Sequence, residues 1–173
     1  MKLKACAVVC LSVFLLASQL SAFDGQRKGF ILGGGLGVGY LAAYEYRLDR
    51  AWSPAANFKI GYAPSSTLEI SYTFVASGVY AIYDDADYFF GVNAIALTKY
   101  FKPEGPGLFI TAGIGPAFKS EMGYSRSETG FGFIGGLGYQ LGRHWSLQGD
   151  VVYMNADSED YAAIRLTINF LAF

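Results

Sequence analysis

Residues Gly29 to Tyr40 read GFILGGGLGVGY, and the parity of that string decides the fold. Phe30, Leu32, Gly34, Leu36, Val38 and Tyr40 make one row, while Gly29, Ile31, Gly33, Gly35, Gly37 and Gly39 make the other. A period of two is the period of a strand, whose successive side chains point to opposite faces, and glycine at every second place weighs against a helix. One face is therefore apolar and the other nearly bare. The same glycines loosely match the turn that holds a dinucleotide pyrophosphate at a helix N-terminus. In G-x-G-x-x-G, however, Gly33 and Gly35 fill the first two places and the third falls on Val38, where close helix packing wants no side chain. Gly37, Gly39 and Ala42 fit the looser form of the motif, yet no βαβ unit follows. The strand reading stands.

Composition agrees with it. The chain has 173 residues, 53% hydrophobic and 17% aromatic, with 22 glycines, yet no internal segment holds 18 uninterrupted apolar residues. That much apolar surface without a spanning helix fits a transmembrane barrel, where apolar residues occupy alternate positions.

Met1 to Ala22 carries Lys2 and Lys4, an apolar run from Ala5 to Ala17 and then SQLSA. A basic start, an apolar core too short to span and small residues at the exit are the marks of a secretory signal peptide, and cleavage after Ala22 is expected. Residues 23–173 then form one barrel domain of 173 − 22 = 151 residues. Cys6 and Cys10, the two cysteines of the chain, both lie in the leader as apolar filler. Their loss excludes a disulfide, a thiol nucleophile and a thiolate metal site. Losing Lys2 and Lys4 leaves 11 basic against 14 acidic residues, a net charge of 11 − 14 = −3, and nothing in the chain points to nucleic acid.

Alternation resumes after the polar stretch AAYEYRLDRAWSPAA. Ala56, Phe58, Ile60 and Tyr62 oppose Asn57, Lys59 and Gly61; past the turn APSS, Leu68, Ile70, Tyr72 and Phe74 oppose Glu69, Ser71 and Thr73. Facing residues of a hairpin have numbers of constant sum, and a sum of 130 sets Ile60 against Ile70, Tyr62 against Leu68 and Gly61 against Glu69. A fourth strand, Tyr88 to Phe101, sets Phe90, Val92, Ala94 and Ala96 against Gly91, Asn93, Ile95, Leu97 and Lys99, without showing which row faces in. The turn KPEGPG leads to Leu108, Ile110, Ala112 and Ile114 outward, with Phe109, Thr111, Gly113 and Gly115 inward. Beyond the loop KSEMGYSRSET the opening motif recurs, with Phe131, Phe133, Gly135, Leu137 and Tyr139 against Gly132, Ile134, Gly136, Gly138 and Gln140. The turn LGRH precedes Trp145, Leu147, Gly149, Val151 and Tyr153, which oppose Ser146, Gln148, Asp150 and Val152. The loop NADSED then precedes the outward row Ile164, Leu166, Ile168 and Phe170. A sum of 315 sets Trp145 against Phe170, Leu147 against Ile168, Val151 against Ile164 and Asp150 against Arg165.

Eight strands of about 10 residues, with short turns alternating with longer polar loops, predict an all-β, eight-stranded antiparallel up-and-down transmembrane β-barrel. Closure is required because an open edge leaves backbone groups unsatisfied in hydrocarbon. The stretches LGGGLGVGY, TKYFKPEGPGLFITAGIG and IGGLGYQLGRHWSLQGDVVY, in that order and spacing, resemble the small porin-like outer-membrane β-barrel family that includes OmpA- and OmpX-type barrels. The resemblance covers nearly all of the chain after the leader. It implies a place in the Gram-negative outer membrane among lipid and lipopolysaccharide, a monomer, and recognition of the C-terminal strand by the barrel-insertion machinery. Phe173 is the terminal phenylalanine usual in the family, but the alternating row ends at Phe170.

Eight strands enclose a space that side chains just fill. Lys59, Glu69, Lys99, Gln140, Gln148, Asp150 and Arg165 are the polar groups expected there, as a mutually neutralising network, since buried charges must be paired. The alternative is a narrow diffusion pore for small solutes. A resemblance to lipid A deacylases, barrel enzymes with a His-x-Ser pair and a downstream Glu, falls on His144, Ser146 and Glu159. A serine activated by histidine is sound chemistry, but His144 belongs to a short turn and Glu159 to an opposite loop, a membrane thickness apart. No catalytic residue, cofactor or metal is expected. His144 reads as solvated turn, and Trp145 as a residue of the interfacial belt. Asp84, Asp85 and Asp87, with Asp157, Glu159 and Asp160, make the long-loop rim acidic, a place for divalent ions bridging to lipopolysaccharide or for adhesive contacts.

Overall fold

The computed structural model describes residues 27–43, 51–81, 86–121, 127–156 and 159–173. Residues 1–22, expected as a signal peptide, with Asp84, Asp85 and Asp157 and the side chains of Asp87 and Glu159, lie outside what is described. Eight strands follow in order: β1 Gly29–Ala43, β2 Ala51–Ser65, β3 Leu68–Ala81, β4 Ala86–Tyr100, β5 Gly107–Glu121, β6 Ser127–Gln140, β7 Trp145–Ala156 and β8 Glu159–Ala172. Each pairs antiparallel with the next, and β8 returns to β1 to close a barrel. The strands hold 12 to 15 residues, longer than the ten expected, because they run on past the apolar rows into segments that sequence polarity marks as loop.

Pairing fixes the barrel's geometry. Leu32 faces Ile60, then Tyr72, Ile95, Ile114, Phe133, Tyr153 and Ala162 in turn, and Ala162 faces Ala42. One circuit thus advances 42 − 32 = 10 residues along β1. With eight strands ~4.8 Å apart and a rise of ~3.3 Å per residue, that stagger tilts the strands by about 40° from the barrel axis. From Leu32 to Ala162 every residue on the circuit belongs to the outward row. The outer wall is mostly apolar, with Leu36 at 73% exposure, Ile164 at 65%, Ile114 at 61% and Ile95 at 60%.

The β7–β8 register matches the constant sum of 315, Asp150 opposite Arg165 included. The β2–β3 hairpin does not match 130. Ile60 faces Tyr72, Tyr62 faces Ile70 and Gly61 faces Ser71, a sum of 132. The turn is Ser66–Thr67 rather than APSS, and the ladder is irregular between Tyr62 and Ser65, around Pro64, which has no N–H to donate. A shift of two preserves parity, so each residue keeps its face.

On β4 the inward row is Phe90, Val92, Ala94, Ala96, Thr98 and Tyr100, while Ile95, Leu97 and Lys99 are exposed outside. Lys99, expected in the interior, therefore stands on the outer wall near the short-turn rim, its Nζ 3.1 Å from Thr67 Oγ1.

Candidate functional site

The interior holds the buried charged groups of the described residues, and it divides into three layers. Nearest the short-turn rim, the buried Arg27 guanidinium lies 3.6 Å from the centroid of the Tyr100 ring. Its Nη1 donates to the carbonyls of Ser66 (2.9 Å) and Lys102 (3.3 Å), and its Nη2 to Gln140 Oε1. Gln140 Nε2 in turn donates to the Arg143 carbonyl at 3.0 Å. Tyr100 Oη donates to Glu69 Oε2 at 2.9 Å, and Lys59 Nζ lies 3.0 Å from Glu69 Oε1. Glu69 is fully buried and both of its oxygens are taken. Phe173 turns inward and packs with Ile31, Ala63 and Leu171, its ring 6.0 Å from Arg27.

The second layer is an ion pair with supports. Arg165 Nη2 donates to Asp150 Oδ2 at 3.0 Å, and Gln148 Nε2 donates to Asp150 Oδ1. Arg165 Nη1 reaches across to the carbonyls of Ala56 on β2 (3.2 Å) and Ala76 on β3 (3.4 Å). Asn57 Nδ2 donates to Asn169 Oδ1 at 2.7 Å beside it.

Toward the loop rim the interior turns apolar. Leu41, Val75, Phe90, Val92, Ile134, Val152, Met154, Tyr161 and their alanine neighbours form one buried cluster, with the Phe90 and Tyr161 rings 4.9 Å apart. A void of about 10 Å³ bordered by Leu41, Val75, Phe90, Met154 and Arg165 has the size of one water. Above the cluster Lys119 pairs with Glu128 at 3.3 Å, with its Nζ 5.3 Å from the centroid of the Tyr161 ring.

Of the seven residues expected inside, Lys59, Glu69 and Gln140 sit in the first layer and Gln148, Asp150 and Arg165 in the second, while Lys99 joins neither. Arg27 and Tyr100 are the members that sequence reasoning missed. Tyr100 follows from β4 parity once Ile95 and Leu97 are placed outside; Arg27 precedes the alternating stretch and carries no periodic signal.

His144 is half-buried rather than solvated. Its Nδ1 is 2.8 Å from the Leu171 carbonyl, and its ring lies 5.6 Å from Phe170 and 5.4 Å from Phe173. It precedes β7 at the short-turn rim, whereas Glu159 opens β8 at the other end of the same hairpin. The two do not meet. Trp145 is 53% exposed on the outer wall, edge-on to Phe170. Among the described residues no three His, Cys, Asp or Glu side chains gather as a metal site.

A closed barrel of eight antiparallel strands, apolar outside and filled inside, is the fold of the small outer-membrane barrels. Among solved structures, the chain is similar to Ail, the attachment invasion locus protein of Yersinia pestis, at TM-score 0.57 and 18% identity over 83% of this chain and 99% of that one. Neisserial surface protein A gives a TM-score of 0.62 at 14% identity, covering 83% and 96%. OprG from Pseudomonas aeruginosa gives 0.50 at 14%, covering 84% and 96%. At these identities the likeness is one of fold. No family model and no curated protein sequence matches the chain.

Proposed function

We propose that this protein is an outer-membrane barrel whose role is structural or surface-interactive, exported by residues 1–22 and cleaved after Ala22. On this reading the interior is a plug rather than a path, and no catalysis takes place in it. The observation that carries it is the layering: the Arg27–Tyr100–Glu69–Lys59 chain, the Asp150–Arg165 pair and the apolar cluster succeed one another along the axis. A solute would have to break two sets of buried charge-assisted bonds and then part an apolar core.

Function then belongs to the rims and the wall. By sequence the segments carrying Asp84, Asp85 and Asp87, and Asp157, Glu159 and Asp160, are acidic. Ail has been crystallised with the heparin analogue sucrose octasulfate. Acidic loops disfavour such a polyanion here and suit cationic partners, or lipopolysaccharide bridged by divalent ions. On the membrane side the partners are outer-membrane lipid and, during insertion, the barrel-insertion machinery acting on β8.

Single-channel recording of the refolded protein in a planar bilayer tests the plug. A barrel that shows the heat-modifiable gel shift of a closed fold is expected to conduct nothing. Discrete, stable steps that change in Arg165→Ala or Glu69→Gln would establish a narrow pore instead.

A further inference from the structure

We propose that two copies of this chain associate in the membrane through the outer wall of β3, β4 and β5, with Asn93 at the centre of the contact. Asn93 stands midway along β4 on the outward row with Ile95 and Leu97. Phe74, Ile114, Pro116 and Phe118 flank it on the neighbouring strands. Its Oδ1 accepts a hydrogen bond from Tyr72 Oη at 2.6 Å, the one hydrogen bond its side chain makes among the described residues. That bond fixes the carboxamide and leaves the Nδ2 hydrogens toward hydrocarbon, where an unsatisfied donor is costly and lipid tails offer no acceptor.

The backbone is weak at the same spot. Pairing of β4 with β5 stops at Val92 opposite Ala117 and resumes at Ile95 opposite Ile114. In that register Pro116, exposed on the wall and without an N–H, stands opposite Asn93. The Asn93 carbonyl leans over Gly115, where a Cβ would collide with it.

Just above lies a flat apolar apron. The Phe74 and Phe118 rings are parallel to within 4° at 5.8 Å, and Phe89 lies 5.8 Å from Phe118. Phe118 covers Gly91, leaving no room for a Cβ there. These rings are already held by one another, so docking on them orders little that was free.

A second copy is the occupant that this arrangement fits. A carboxamide carries both donor and acceptor, so two of them related by a two-fold axis satisfy each other: each Nδ2 donates to the second lone pair of the other's Oδ1. The aprons then pack beside the paired amides. This departs from the monomer that the family resemblance implies.

Two measurements on the full chain test it. With Cys6 and Cys10 replaced by alanine, Ile95→Cys, exposed two residues along the same outward row and leaving Asn93 intact, is expected to give an oxidised dimer in isolated outer membranes when expressed in cells, whereas Leu166→Cys, on the β8 wall, gives none. In density-matched detergent the wild type should sediment in a concentration-dependent monomer–dimer equilibrium. Asn93→Leu should weaken that equilibrium about tenfold while keeping the heat-modifiable gel shift. A wild type that stays monomeric throughout, equal crosslinking at Ile95→Cys and Leu166→Cys, or an unchanged equilibrium in a folded Asn93→Leu would each overturn the proposal.

Discussion

The Arg165 guanidinium and the Asp150 carboxylate face each other on β8 and β7 at 3.0 Å, with both side chains about 1% exposed. Removing one partner leaves the other as a buried, uncompensated charge, which costs ~3–5 kcal/mol, whereas replacing both with apolar side chains costs far less. Asp150→Leu and Arg165→Met alone are therefore expected to destabilise strongly, and the double variant less than either. Urea titration in lipid vesicles, read by the fluorescence of Trp52 and Trp145, makes the comparison. Additive losses in the double variant would show that the pair is not coupled.

Lys59 and Lys99 give a direct contrast between inner and outer wall. Lys59 is the cation beside the fully buried Glu69, while Lys99 is exposed and bonded only to Thr67 among the described residues. Lys59→Met should lower stability by ~3 kcal/mol or more. Lys99→Gln should stay within about 0.5 kcal/mol of wild type. The same unfolding assay distinguishes them, and equal losses would place Lys99 inside after all.

Gly37, in the stretch that opens the barrel, packs so closely on β8 that a Cβ would strike the Leu166 carbonyl oxygen, while a Cβ at Gly135 would meet nothing within 4 Å. Gly37→Ala is expected to cost about 1–3 kcal/mol through overpacking. Gly135→Ala should be neutral or slightly stabilising, since it removes freedom from the unfolded chain.

Phe173 is 2% exposed against Ile31, Ala63 and Leu171. Phe173→Ala should cost about 3–5 kcal/mol in refolded protein. Insertion in cells, followed as the amount of folded barrel in the outer membrane, separates this packing role from any reading of the terminal residue by the insertion machinery. A variant as stable as wild type in vesicles yet depleted in cells would assign Phe173 to recognition alone.

What sequence made legible was parity. Where one row is apolar and the other polar or glycine, as on β1, β6, β7 and β8, the faces and even the β7–β8 register follow from counting. On β4 both rows are apolar because the loop-side third of the interior is itself an apolar core, so polarity no longer marks the inner face and Lys99 is misplaced. The β2–β3 register slips by two because the irregularity around Pro64 moves the turn, a change that leaves the pattern of faces untouched. Arg27 lies before the periodic segment and is placed only by the tertiary contacts it makes.

The reach of Arg165 to the carbonyls of Ala56 and Ala76 also sets an order of events in assembly. Its anchors stand on β7, β2 and β3, and β8 comes beside β2 only when it zips to β1. A sheet still open along that seam would hold Asp150 paired but Arg165 without its partners on β2 and β3, a donor that water would have to satisfy. Loss of interior water is accordingly expected to follow closure of the β1–β8 seam.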